Sequence, residues 1–250
     1  MKKIVWIDVG SHFGQEYSSI FFPSYYYKKI LITLLGHLFN GRLNKFLNFA
    51  KELPKNLKIN RMIKVNDKSF YKIFIEANIN VINQKKRIYK KIDLPLNLAI
   101  IDNNNEDSKL VKLYIANNNY LSQGSSIFKS KKNVNDENYI YTLGVPADLF
   151  FIKIKNHLDK ILENYEILLR LNCEGVEDEI IYSCEKIFNK KLKLIMGAVD
   201  DVKKIKSEII YNDLIIFMEE KNLKFTYFTP DPNTWLKAHE TIYKTFKLSK

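Results

Sequence analysis

The sequence predicts an α/β fold: a mainly parallel sheet flanked by helices, with a helical insertion after the first strand. Three observations carry this. Apolar runs without polar alternation recur along the chain, segments of helical period stand between them, and an acidic residue closes each of the first three runs. Such runs are the mark of strands covered on both faces, which is how parallel strands are built. A chain of 250 residues, 46% apolar, supports a sizeable core. With no repeat and no low-complexity linker, one domain over 1–250 with an insertion at 23–62 is the economical organisation.

Residues 2–8 (KKIVWID) read as a first strand, with Ile4, Val5, Trp6 and Ile7 in a row and Asp8 at its carboxyl end. The next stretch, 9–15 (VGSHFGQ), is a tight turn bracketed by Gly10 and Gly14, where a ligand meets bare backbone. Gln15, Glu16 and Tyr17 then open a helix whose amides suit an anionic or polar ligand. The spacing is Asp-x-Gly-x-x-x-Gly rather than G-x-G-x-x-G, which favours an adenosyl ligand without a pyrophosphate. Read blandly, the same stretch is only a strand and a glycine turn.

Glu16 to Phe22 forms one or two helical turns before Pro23. Residues 23–62 then read as helical, with KKILITLLGHLF strongly apolar, LNKFLNFAKEL at helical spacing and Pro54 closing the second helix. The segment is basic, aromatic and apolar together. A lid, a peripheral membrane patch, a dimer contact and a plain extension of the core all fit it. His37, a lone histidine on an apolar helix, reads as a satisfied core residue.

A second strand follows at 70–75 (FYKIFI), ending at Glu76, then a helix at 81–88 and a third strand at 96–101 ending at Asp102. Residues 110–116 are a strand, and 117–138, with Gly124, Ser125 and Ser126, a mobile polar loop. A helix at 152–162, a strand at 167–173 and a helix from the following turn to Phe188 come next. Then follow a strand at 192–199, a helix at 208–221 and a strand at 223–229.

Forty basic against 28 acidic residues leave a net charge of +12, which would attract nucleic acid, an anionic membrane or an anionic substrate. The lysines are spread along the chain, so a biased base composition explains the excess equally well. No apolar run is long enough to span a membrane, and no signal peptide is evident, so a cytoplasmic location is expected. Cys173 and Cys184 form neither a disulfide framework nor a zinc set and read as small buried hydrophobes.

Asp8, Glu76 and Asp102 at successive strand ends converge, in an open parallel sheet, on one crevice. An acid after the second strand accepts from both ribose hydroxyls, and one after the third from an adenine amino group. With these residues in order, the sequence resembles the FkbM-type methyltransferases, S-adenosylmethionine-dependent enzymes of the Rossmann-like class I fold. Residues 7–15 (IDVGSHFGQ) resemble that family's first motif and 73–78 (IFIEAN) its ribose-binding motif. Residues 98–102 and 110–128 are similar to its third strand, hairpin and Gly-Ser-Ser turn, and 167–180 (ILLRLNCEGVEDEI) to its fourth-strand signature.

The resemblance implies an O-methyltransferase acting on a sugar or other hydroxylated metabolite, as in surface-glycan biosynthesis. It implies S-adenosylmethionine contacts at Asp8, Gly10, Gly14, Glu76, Asp102, Ser125 and Ser126. The candidates for proton removal are Glu174 and Glu177, then His12, with no metal site; Glu177 otherwise caps the following helix. The departures are Asn172 for the usual aspartate, Arg170 for a lysine, and 68 positions from Asp8 to Glu76 (76 − 8) where one βαβ step needs roughly 30. A nucleic-acid methyltransferase is the alternative suggested by the charge, although the strand-four end lacks an Asn/Asp-Pro-Pro-aromatic motif. A non-catalytic scaffold of the same fold is the alternative suggested by Asn172.

Overall fold

The structure is a computed structural model that describes residues 2–104, 107–116, 121 and 124–248. In chain order its elements are β1 (Lys3–Val9), α1 (Gln15–Phe21), α2 (Pro23–Phe39), α3 (Leu43–Val65), β2 (Phe70–Ile75), α4 (Ile79–Gln84) and α5 (Lys86–Tyr89). There follow β3 (Leu94–Leu96), β4 (Ala99–Ile101), β5 (Lys109–Ala116), β6 (Val134–Pro146), α6 (Ala147–Ile161), β7 (Tyr165–Leu171) and α7 (Glu177–Phe188). The chain ends with β8 (Leu192–Gly197), α8 (Asp200–Ile205), α9 (Glu208–Glu220), β9 (Phe225–Tyr227) and α10 (Pro232–Thr245). Two compact units result: the chain up to Phe13 with Tyr71–Phe225, and Gly14–Phe70 with the chain from Thr226.

The first unit is the α/β body that the apolar runs predict. Six strands lie in the order β3-β2-β1-β7-β8-β9, and the pairs β1/β7, β2/β3 and β7/β8 are parallel. From β1 the chain builds outward through β2 and β3, then crosses back to place β7 and β8 on the other side of β1. The carboxyl ends of β1 and β7 thus frame the topological switch point, the position at which open α/β sheets receive ligands. Ile4, Val5, Trp6 and Ile7 are all buried, as their run without alternation requires. The core joins Val5, Ile7 and Leu169 of the sheet to Phe151 and Leu158 of α6 and Ile181 of α7.

The expected third strand at 96–101 is divided between two sheets. Leu94–Leu96 pairs with β2, whereas Ala99–Ile101 pairs with β6 in a separate three-stranded sheet of order β4-β6-β5. Asn97 explains the break: its side-chain amide donates to the carbonyls of Glu76 (2.8 Å) and Ala77 (3.1 Å), which turns the chain out of the ladder. The expected loop at 117–138 also ends early, because β6 begins at Val134 and pairs antiparallel with β5. The residues of that loop at 117–120, 122 and 123 lie outside the described set.

The second unit is helical. α3 continues through Pro54 to Val65 rather than closing there. Its inner face runs on past the proline, with Phe49, Asn56, Ile59, Asn60 and Ile63 all buried, and this packing outweighs one missing backbone hydrogen bond. Asn56 is held at both ends of its amide: it accepts from the Tyr26 hydroxyl and donates to Leu236 O at 3.1 Å. His37 is buried and bonds Asn233 Oδ1 through Nε2 at 3.0 Å, the satisfied core role read from its apolar surroundings. α10, absent from the sequence reading, starts at an Asp231 cap whose carboxylate accepts from the Asn233 amide at 3.0 Å, with Pro232 in the first turn.

Candidate functional site

The loops after β1, β2 and β7 surround an open cleft within the first unit. Gly10, His12, Glu76, Asn78, Asn172 and Glu174 supply its polar lining, and Leu98, Ile100, Leu113 and Ile127 an apolar wall. Gly124, Ser125 and Ser126 close another side.

The switch point is held by close backbone contact. Gly10 sits at φ +71, and a Cβ there would fall 2.2 Å from the carbonyl oxygen of Asn172, so only glycine fits. Its amide and that of Ser11 both donate to Ile75 O, at 3.0 and 3.1 Å, which ties the β1 loop to the end of β2. The Ser11 hydroxyl lies 2.9 Å from the Tyr89 hydroxyl, and Tyr89 donates to His12 O at 2.7 Å.

Glu76, the residue that follows β2, is buried and lines the cleft. Oε2 accepts from the His12 amide at 2.7 Å and Oε1 from the Asn78 amide at 2.8 Å. Burial pushes its carboxyl up to about 7, with those two amides opposing. A carboxylate has four acceptor positions, so capacity for further donors is left.

Asp8 plays a different part from the one expected of it. It is fully buried, does not line the cleft, and accepts from Arg170 Nη1 at 2.9 Å. The two residues are register partners on β1 and β7. Arg170 also donates to Gly10 O at 3.0 Å, so the pair fastens the loop from beneath. Burial raises the Asp8 carboxyl, and the guanidinium beside it opposes the rise.

On the β7 side, Glu174 adopts φ 64 and lines the cleft. It forms an ion pair with Lys131, which also donates to Gly124 O at 3.0 Å. Burial holds its carboxyl above the usual carboxylate range, with Lys131 opposing and Asp201 adding to the rise. Glu177, the first residue of α7, is spent on the turn: it accepts from the amides of Cys173 (3.2 Å), Glu174 (2.8 Å) and Gly175 (2.8 Å).

The structure therefore brings Gly10, His12, Glu76, Ser125, Ser126 and Glu174 to one cleft. Glu177 lies behind its wall, and Asp102, one residue beyond β4, does not line it. Gly14 (φ +59) belongs to the second unit, where it precedes α1. His12 presents Nε2 to Leu121 O at 3.1 Å. Ser126 donates to Glu174 O at 2.9 Å and accepts from the Phe128 amide at 3.1 Å, so its hydroxyl shapes the wall. Cys184 is buried as expected, but Cys173 is half-buried and lines the cleft.

Lys131 and Asn78 were not singled out by sequence. Lys131 lay in a polar loop like many others, but Asn78 had a signal as the cap of α4, accepting from the Asn80 amide at 3.0 Å. Among the described residues no cluster of three or more His, Cys, Asp or Glu side chains is arranged to hold a metal ion. No protein-family model matches the chain, and no curated protein or solved structure matches it either.

Proposed function

We propose that the cleft binds S-adenosylmethionine and that the protein is a methyltransferase of the Rossmann-like class, acting on a hydroxyl of a sugar or similar metabolite as the FkbM-type resemblance implies. The observation that carries this reading is Glu76, a buried carboxylate at the carboxyl end of the strand beside β1, lining a cleft at the switch point. The residues fit such a ligand. Glu76 offers acceptors for a ribose diol, the Leu98, Ile100, Leu113 and Ile127 wall suits a flat base, and Gly10 exposes bare backbone.

S-adenosylmethionine, when bound, supplies an electrophilic methyl group on a sulfonium. The chain's task is then to align an acceptor hydroxyl and remove its proton. Glu174 is the group we assign to proton removal, because it lies in the cleft and burial raises its basicity. Glu177 is a positioning residue, since its carboxylate fixes the three amides of the turn that carries Glu174. A binding protein of the same fold without turnover is the second reading, favoured by the Lys131 ion pair that lowers the basicity of Glu174.

Calorimetric titration with S-adenosylmethionine and S-adenosylhomocysteine tests the ligand. Binding by the full chain, abolished or strongly weakened in Glu76→Ala, is expected; no heat at millimolar ligand overturns the reading. Release of S-adenosylhomocysteine on addition of sugar acceptors separates the enzyme from the binding protein.

A further inference from the structure

We propose that the α2–α3 hairpin of the second unit is a docking surface for an anionic lipid bilayer. This inference does not rest on the assignment of the cleft.

The first observation is that α2 carries large apolar residues on its outward face as well as its inward one. Tyr26, Ile30 and His37 are buried on the inner side. Tyr27, Leu31, Ile32, Leu35, Leu38 and Phe39 are all exposed, Phe39 by 81%. At 100° per residue these six fall on one contiguous outer arc. The patch continues around the turn to Leu43 and Leu47 of α3, 56% and 53% exposed. A contiguous apolar surface of this kind marks an interaction site.

The second observation is the charge around it. No Asp or Glu occurs from Pro23 to Lys51, whereas Lys28, Lys29, Arg42 and Lys45 lie in that stretch. Over 23–65 as a whole there are nine basic residues against Glu52 alone, so 9 − 1 = +8 of the chain's +12 resides in this hairpin. The lysines spread through the sequence thus conceal one local excess.

Apolar area together with Lys and Arg is the pair of signals that holds a helix in the headgroup region of an anionic leaflet. A second copy of the chain fits less well, because a two-fold contact would set this basic face against itself. α2 has 17 residues, fewer than the roughly 20 a spanning helix needs, and no helix among the described residues is long and apolar enough to cross a membrane. The hairpin would therefore lie along the interface, with Phe39 and Leu43 at its tip entering the acyl boundary.

Vesicle flotation of the full chain tests this, using phosphatidylcholine alone and phosphatidylcholine mixed with phosphatidylglycerol. Flotation with the mixed vesicles only, or far more strongly with them, is expected. Leu31→Glu/Leu35→Glu/Phe39→Glu should abolish it with an unchanged circular dichroism spectrum, since all three side chains are exposed. Lys28→Gln/Arg42→Gln should weaken it by roughly tenfold or more, each basic group near an anionic leaflet counting for about fivefold. The proposal is overturned if the wild type stays with neither vesicle, if the triple variant floats as well as the wild type, or if wild-type protein is a dimer that the triple variant converts to a monomer without any vesicle binding.

Discussion

At the scale of single residues, the ion pair beneath the cleft makes the sharpest demand. Asp8 and Arg170 are buried together, and Asp8 Oδ2 has no hydrogen-bond partner among the described residues. A buried pair of this kind contributes little net stability against apolar substitutes, yet loss of one member strands a charge. Arg170→Met should therefore destabilise the protein by about 3 kcal/mol or more, while Asp8→Leu/Arg170→Met recovers most of that loss. Urea unfolding of the two variants checks this, and a double variant as unstable as the single would mean that the pair itself holds the fold. The sequence made Glu76 and Gly10 legible, because a strand-end acid and a turn glycine are local signals. It misassigned Asp8, whose role depends on a partner 162 positions away, and it missed Lys131, whose role depends on Glu174 rather than on its own neighbours.

At the scale of elements, runs of apolar residues revealed β1, β2, β7 and β8, because a strand buried on both faces announces itself without reference to its partners. β6 escaped notice since much of it is exposed and its order comes from pairing with β5. The division of the third strand depended on one asparagine amide rather than on any pattern. α3 went the other way: Pro54 reads as a stop, but tertiary packing carries the helix across it. That conflict yields a prediction. Pro54 is exposed in mid-helix, so Pro54→Ala restores a backbone donor to the Ala50 carbonyl and removes no buried contact. It should raise stability by about 1–3 kcal/mol, seen as a higher urea midpoint at unchanged slope. A fall in the midpoint would show that the proline is needed to shape the helix.

At the scale of the molecule, one buried group in each unit should answer acid in opposite directions. In the first, Glu76 has its carboxyl raised to about 7 from an ordinary 4.5, and burial raises Asp8, Glu174 and Glu177 as well. Between those two values the folded state keeps a proton that the unfolded chain releases, so stability is present below about 4.5 and lost as pH rises towards 7. In the second unit His239 is fully buried against the rings of Tyr26 and Trp235 and accepts or donates at Ser19 Oγ, 3.0 Å away. Burial lowers it to about 3 from 6.5. Here the unfolded chain takes up the proton first, so stability is present above 6.5 and lost as pH falls towards 3.

From pH 7 to pH 5 each group shifts stability by about 2 kcal/mol, Glu76 upward and His239 downward. Glu76→Gln should therefore make the protein more acid-labile than the wild type over this interval, and His239→Gln more acid-stable, each by about 2 kcal/mol. Urea unfolding at pH 5, 6 and 7 reads both, and equal pH slopes in the wild type and the two variants would show that neither burial is felt as a proton linkage. Glu76 extends the same argument to the ligand we propose: hydroxyl donors favour its ionised form, so on that proposal affinity for S-adenosylhomocysteine should rise from pH 6 to pH 8 in the wild type. In Glu76→Gln, which has no proton to lose there, that rise should disappear, and its persistence would assign it to another group in the cleft.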